Sequence, residues 1–192
     1  ARCVSMLAQL GATVENSGVL ARGVAYLRKE QEADGSWYGR WGMNYVYGTW
    51  STLCALNAAG LPPDHAAMRR AVDWLVAIQN ADGGWGEDGE SYRLDYRGYE
   101  KAPSTASQTA WALLALMAAG ERDNPAVARG IDYLTAAQGA DGFWDEELFT
   151  ATGFPRVFYL RYHGYSKFFP LWALARYRNL SASNSRAVAY GM

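Results

Sequence analysis

A basic excess, a long apolar run and a disulfide framework are all missing from this chain of 192 residues. Lys and Arg number 18 against 19 Asp and Glu, a net charge of -1, so the electrostatic footprint of a nucleic-acid-binding protein is absent. No apolar stretch reaches the ~20 residues that span a bilayer. The N-terminal "ARCVSMLAQLG" does not read as a secretory leader, because its apolar part is short and interrupted by Ser5 and Gln9. The cysteines, Cys3 and Cys54, make no disulfide scaffold; a reducing, cytoplasmic setting is the expectation, with one chance pair left open. Charge itself is scarce, at 19% of residues against 50% hydrophobic, which suits one domain with a substantial core.

Aromatic residues fill the gap, with 8 Trp and 13 Tyr. Residues 31–50, "QEADGSWYGRWGMNYVYGTW", concentrate Trp, Tyr and Gly around Asn44. Buried rings contribute large contact areas, whereas rings on a cavity wall offer π-faces to a ligand.

A sixteen-residue motif recurs without insertion: "RGVAYLRKEQEADGSW" (22–37), "RAVDWLVAIQNADGGW" (70–85) and "RGIDYLTAAQGADGFW" (129–144). The opening Arg, a Leu, the Gln, an Ala and then Asp, Gly and Trp are common to all three, the mark of a repeat architecture. Val24, Leu27 and Gln31 recur at helical spacing, as do their counterparts, and Asp-Gly then ends the helix in a turn. More apolar helices alternate with these and end at Gly11, Gly60 and Gly120; a further one is expected to start near Phe169–Pro170, with Pro in its first turn. Thr49 and Ser104 or Thr105 suit N-caps. The Ala-rich helices read as inner and the charge-bearing ones as outer. The fold class is therefore all-α: helical hairpins, three and a half of them, forming about half of a closed ring. Residues 1–178 form this incomplete barrel and 179–192 a polar tail expected to be poorly ordered.

The pairs Gln31 and Trp37, Gln79 and Trp85, and Gln138 and Trp144 are expected to clasp neighbouring repeats, the indole stacking on the amide and the amide bonding a neighbouring helix end. Ordinary core and turn packing is the alternative. The acid-bearing loop 86–103, with Glu87, Asp88, Glu90 and Asp95, reads as a solvated connection rather than a metal site. His65 reads as a helix-start residue.

The three Gln-Trp motifs, "GSWYGRWGMNYVYGTW" (35–50), "PSTASQTAWALLAL" (103–116) and "TGFPRVFYLRYHGYSKFFPLWALARYR" (152–178) together resemble the squalene–hopene cyclases, over residues 1 to about 178. The resemblance is to the bacterial squalene cyclases more than to the oxidosqualene cyclases of animals, fungi and plants. It implies an (α/α)6 toroid and a reaction in which squalene or a related polyprenoid is protonated and closes its rings through carbocations, ending in hopene or hopanol. It implies no cofactor and no metal, an isomerase or hydro-lyase, and a homodimer held monotopically on the cytoplasmic side of a bacterial membrane. Trp41, Tyr47, Phe154, Phe158, Leu160, Tyr162 and Tyr165 match the family's cavity-lining positions. Core packing is the alternative for each of these rings. Alternation places Phe158, Leu160 and Tyr162 on one side of an extended segment and His163 on the other, the preferred reading; a helical one, with Phe158, Tyr162 and Tyr165 at i, i+4 and i+7, is the alternative.

The chemistry agrees. A carbocation must be stabilised without being captured, and aromatic faces attract cations by roughly 0.5–2 kcal/mol without offering a nucleophile. The family's acid motif, Asp-x-Asp-Asp-Thr-Ala, does not occur here; adjacent acids occur at Glu87-Asp88 and at Glu146-Glu147, the latter with Asp145 before it and after a Gln-Trp motif. Arg2 falls about where the family keeps a basic residue that contacts that motif. The resemblance therefore implies a C-terminal fragment that lacks the proton donor and is inactive alone. Two other classes stay open. A carbohydrate-active α/α protein would need paired carboxylates in its cleft. A non-catalytic repeat scaffold would carry its aromatics on an exposed surface. Prenyltransferase β-subunits share the helical ring but carry zinc, for which the two cysteines have no evident partners.

Overall fold

Gly11, Gly60 and Gly120 take φ of 89°, 86° and 86°, the left-handed conformation that side-chain-bearing residues avoid, and each ends one apolar helix. The computed structural model describes residues 1–93, 98–185 and 187–191. Among these the helices are α1 (Arg2–Gln9), α2 (Gly18–Lys29), α3 (Tyr45–Ala58), α4 (Ala66–Ala77), α5 (Ala106–Ala118), α6 (Pro125–Ala137) and α7 (Tyr165–Ala182). Inner helices pack in succession, α1 on α3, α3 on α5 and α5 on α7, while α2, α4 and α6 back the first three from outside. The result is a partial helical toroid. Every residue of α5 is buried, which its all-round apolar sequence permits.

The chain is not purely helical. Two antiparallel ribbons occur, β1 (Trp85–Glu87) with β2 (Lys101–Thr105), and β3 (Ala151–Phe154) with β4 (Phe158–Leu160). Each lies between an outer helix and the next inner one. There the chain is too long for a tight turn, and its backbone groups pair with one another instead.

Three local expectations change, at Thr49, at the start of α7 and in residues 179–182, while those at Thr105 and His65 stand. Thr105 does cap α5, accepting from the Gln108 amide, but Thr49 lies inside α3 and accepts from the Trp37 amide at 3.0 Å. The helix α7 begins at Tyr165, so Pro170 lies within it; packing of Tyr165 and Phe169 on Trp111 extends the helix past one lost backbone bond. The same helix runs to Ala182, into the segment read as a tail, and beyond it Asn57 donates to the Val188 carbonyl and accepts from the Gly191 amide. Cys3 and Cys54 are both free. His65 is the N-cap of α4, its Nδ1 accepting from the Ala67 amide at 3.1 Å.

The shared residues of the motif have structural duties. The Trp Nε1 donates to the carbonyl of the motif Leu, at 2.7 Å for Trp37, 2.8 Å for Trp85 and 2.7 Å for Trp144. Asp34, Asp82 and Asp141 each accept the amide two residues on, and Gly35, Gly83 and Gly142 take positive φ. Gln31 Nε2 donates to the Gly35 carbonyl and, across the repeat boundary, to the Ala67 carbonyl, both at 2.9 Å. Gln79 repeats this with Gly83 and Ala126 at 2.8 and 2.9 Å. The next repeat's opening Arg completes the clasp: Arg70 donates to Gln31 Oε1 and Arg129 to Gln79 Oε1. The fit is tight, since a Cβ on Gly35 or Gly83 would fall 2.5 or 2.6 Å from the Arg70 or Arg129 carbonyl oxygen. At the third copy Gln138 is exposed and bonds the Gly142 carbonyl at 2.9 Å, and nothing lies within 4 Å of a Cβ on Gly142.

Candidate functional site

The segment Gly39–Asn44 folds over the N-terminal turn of α3. A Cβ on Gly42 would fall 2.2 Å from the Tyr47 ring, and one on Gly39 2.3 Å from the Asn44 carbonyl oxygen, so only glycine lets the segment lie this close. Gly42 bridges to Ala151, the Thr152 amide donates to the Trp41 carbonyl, and the Met43 amide donates to the Thr150 carbonyl. These bonds hold Trp41 beside β3. Its ring, 55% exposed, faces a pocket of about 540 Å³ shared with Thr152, Tyr162, His163, Tyr165, Phe168 and Phe169.

The expected lining residues thus divide. Trp41, Tyr162 and Tyr165 meet in one pocket. Tyr47 lies a layer deeper, edge-on to Trp50 at 5.4 Å and to Trp111 at 5.1 Å. Phe154 and Phe158 pair edge-on across the β3–β4 hairpin at 5.6 Å, and Phe154 borders a second groove with Tyr38, Arg40 and Tyr92. Leu160 is half-buried, opposite Ala151. Arg2 reaches the deep cluster, its guanidinium 4.3 Å from the Trp50 ring centre and 5.7 Å from that of Tyr47.

The placement of His163 is a correction. Strand β4 ends at Leu160, so the alternation stops there, and the turn into α7 brings His163 into the same pocket as Tyr162. The acid-bearing loop is a second correction. Glu87 is 1% exposed and caps α3, accepting from the amides of Asn44, Tyr45 and Val46 at 3.0, 3.1 and 3.0 Å. Burial pushes its carboxyl pKa up, while the three amides pull the other way. Glu146 does the same for α5, bonding the Ser107 amide and hydroxyl at 2.9 and 2.8 Å. Tyr92 is also buried, whereas Asp95 lies outside the described residues. A signal for the two caps was present, because both carboxylates stand two residues after a motif Trp, in "WGE" and "WDE".

A partial helical toroid fits the fold of the terpene cyclases, and comparison with known proteins narrows it. The family profile "Squalene-hopene cyclase C-terminal domain" matches residues 1–179, and the chain belongs to that family. It is 73% identical over its whole length to a squalene–hopene cyclase of Bradyrhizobium diazoefficiens and 63% identical to that of Zymomonas mobilis. A dammaradiene synthase of Dryopteris crassirhizoma is 45% identical over 83% of the chain and 25% of the synthase. The chain spans only 29% of the length of the two bacterial relatives. A type II terpene cyclase from Scytonema, solved with its geranylgeranyl dihydroxybenzoate substrate, shares the fold at a TM-score of 0.52 and 24% identity, over 79% of this chain and 40% of the other.

Proposed function

We propose that this chain is the C-terminal part of a cyclase that converts squalene, or a related polyprenoid, to hopene or hopanol, and that it supplies one aromatic wall of the cavity. The carrying observation is the pocket's composition: Trp41, Tyr162, Tyr165, Phe168 and Phe169 line it, and none of its described lining residues is a carboxylate. A proton adds to a terminal double bond of the substrate. Each ring closure then turns one π bond into a σ bond and moves the cation onward. Proton loss or capture of water ends the cascade. Ring faces along that path lower successive barriers, each ~1.4 kcal/mol being about tenfold in rate.

In this reading Trp41, Tyr162 and Tyr165 shape and stabilise the folded substrate, and Phe154 and Phe158 face the later cations. Tyr47 backs the wall, and Arg2 contacts the acid motif that another part of the enzyme provides. No Asp-x-Asp-Asp-Thr-Ala run occurs in the sequence, so the chain alone does not cyclise squalene. In the same reading the whole enzyme is a monotopic dimer on the cytoplasmic side of a bacterial membrane, as the resemblance implies.

Two preparations test this. The isolated chain incubated with squalene should yield no cyclised product by mass spectrometry. A chimera in which it replaces the matching C-terminal segment of the Bradyrhizobium enzyme should yield pentacyclic product. Turnover by the isolated chain would mean that its proton donor has been overlooked.

A further inference from the structure

The pocket has two walls that the chain builds separately. One is the Gly39–Asn44 segment carrying Trp41, and the other is the β3–β4 hairpin, with Thr152 at the pocket edge. Backbone bonds from Met43 and Thr152 link them, and one buried side chain ties the two together from beneath. Tyr92, 3% exposed, ends the short 3₁₀ turn Gly89–Tyr92 and lies beneath both. Its hydroxyl donates to the Gly39 carbonyl at 2.9 Å and the Gly42 carbonyl at 3.0 Å, sharing one proton between the two sides of Trp41. It accepts from Thr152 Oγ1 at 3.0 Å. Tyr38 meets its ring edge-on at 5.7 Å and Tyr159, from β4, stacks on it at 6.2 Å. The phenol is therefore fixed at both ends, and burial pushes its pKa up, so the hydroxyl keeps its proton.

We propose that Tyr92 is a positioning residue for the cyclisation: its hydroxyl, with Thr152, sets the distance between the Trp41 wall and the hairpin wall, and so where a cation meets an aromatic face. The inference rests on the reading that Trp41 faces the polyprenoid. The Trp41 ring is half-exposed, and among the described residues its ring partner is the Arg40 guanidinium, 4.8 Å from the ring centre. Its placement is therefore set by the backbone on either side, which is where the Tyr92 hydroxyl attaches. A cation–π contact weakens as the ring moves away, so a small displacement alters which cation in the series is stabilised.

Tyr92→Phe removes one oxygen and keeps the ring contacts. In the isolated chain, hydrogen exchange at the Met43 and Thr152 amides, which carry the bonds between the two walls, should quicken roughly fivefold, the effect of losing one buried hydrogen bond. Thr152→Val should act in the same direction, and Thr152→Ser should restore the original rate. Unchanged exchange in Tyr92→Phe would overturn the proposal. In the chimera, Tyr92→Phe should shift products from pentacyclic towards incompletely cyclised species, with kcat lowered and KM nearly unchanged. Lower thermal stability with the product spectrum intact would overturn it as well, since Tyr92 would then be structural only. Trp41→Ala in the same chimera separates the two readings. If it leaves the products unaltered, the assignment of the Trp41 wall fails; if it alters them and Tyr92→Phe does not, the Tyr92 inference alone fails.

Discussion

Trp50 of α3 and Trp111 of α5 stack with ring centres 5.8 Å apart and planes 5° from parallel. Phe169 of α7 lies edge-on to both, at 5.2 and 5.6 Å, and also lines the pocket. Three successive inner helices thus meet in one aromatic cluster directly behind the proposed cavity wall. Stacked and edge-on pairs add about 0.5–1.5 kcal/mol each beyond the area that they bury. Trp111→Ala should destabilise the chain by about 3–5 kcal/mol in denaturant unfolding. A loss under about 1 kcal/mol would mean that the inner helices are held together elsewhere.

The motif glutamines should not be equivalent. Gln79 bonds Gly83, Ala126 and Arg129, whereas among the described residues Gln138 bonds Gly142 within its own turn. Gln79→Ala leaves acceptors unpaired at a repeat boundary and should cost about 1–3 kcal/mol; Gln138→Ala, on an exposed turn, should cost under about 1. Equal losses by thermal unfolding would contradict the cross-repeat clasp.

The thiols should separate by reactivity. Cys54 is buried and its pKa is pushed up from 9.0 to about 11 by burial, against the pull of the Arg176 and Arg2 guanidiniums, while Cys3 is exposed. At pH 8 a thiol reagent should modify one cysteine quickly in the folded chain and both after denaturation. The folded pKa lies above the unfolded one, so this group's contribution to stability is complete below pH 9 and is lost as pH rises towards 11, on the order of 2 kcal/mol. Tyrosines titrate in the same range, so Cys54→Ala isolates the thiol's share: its stability should fall less steeply over that window.

Repeats, helix ends and the inner–outer alternation could be read from the chain because each rests on local chemistry. Gly60 needs positive φ, Leu75 recurs at helical spacing, and Asp82-Gly83 forms a turn wherever it stands. Glu87 was hidden for the opposite reason: its amide partners, Asn44 to Val46, lie more than forty residues away, and a carboxylate in an acid-bearing loop looks solvated until they appear. His163 and Pro170 misled by the same route. Strand alternation and the preference of Pro for a first turn are local rules, and the packing of Tyr165 and Phe169 on Trp111 overrode both. Tyr92 gave no periodic signal, since its three hydroxyl partners come from two distant segments.

The central claim is that ring faces, rather than ring bulk, serve the reaction at this wall. Replacing Trp41 in the chimera by Phe, which keeps a π-face, and by Leu, which fills space without one, tests it by kcat and product analysis on squalene. Phe should retain most of the rate and pentacyclic product. Leu should lose a factor of roughly 3–30 in kcat, the loss expected for one desolvated cation–π contact, and should release early-terminated products. Equal rates and identical products from the Phe and Leu variants would contradict the account.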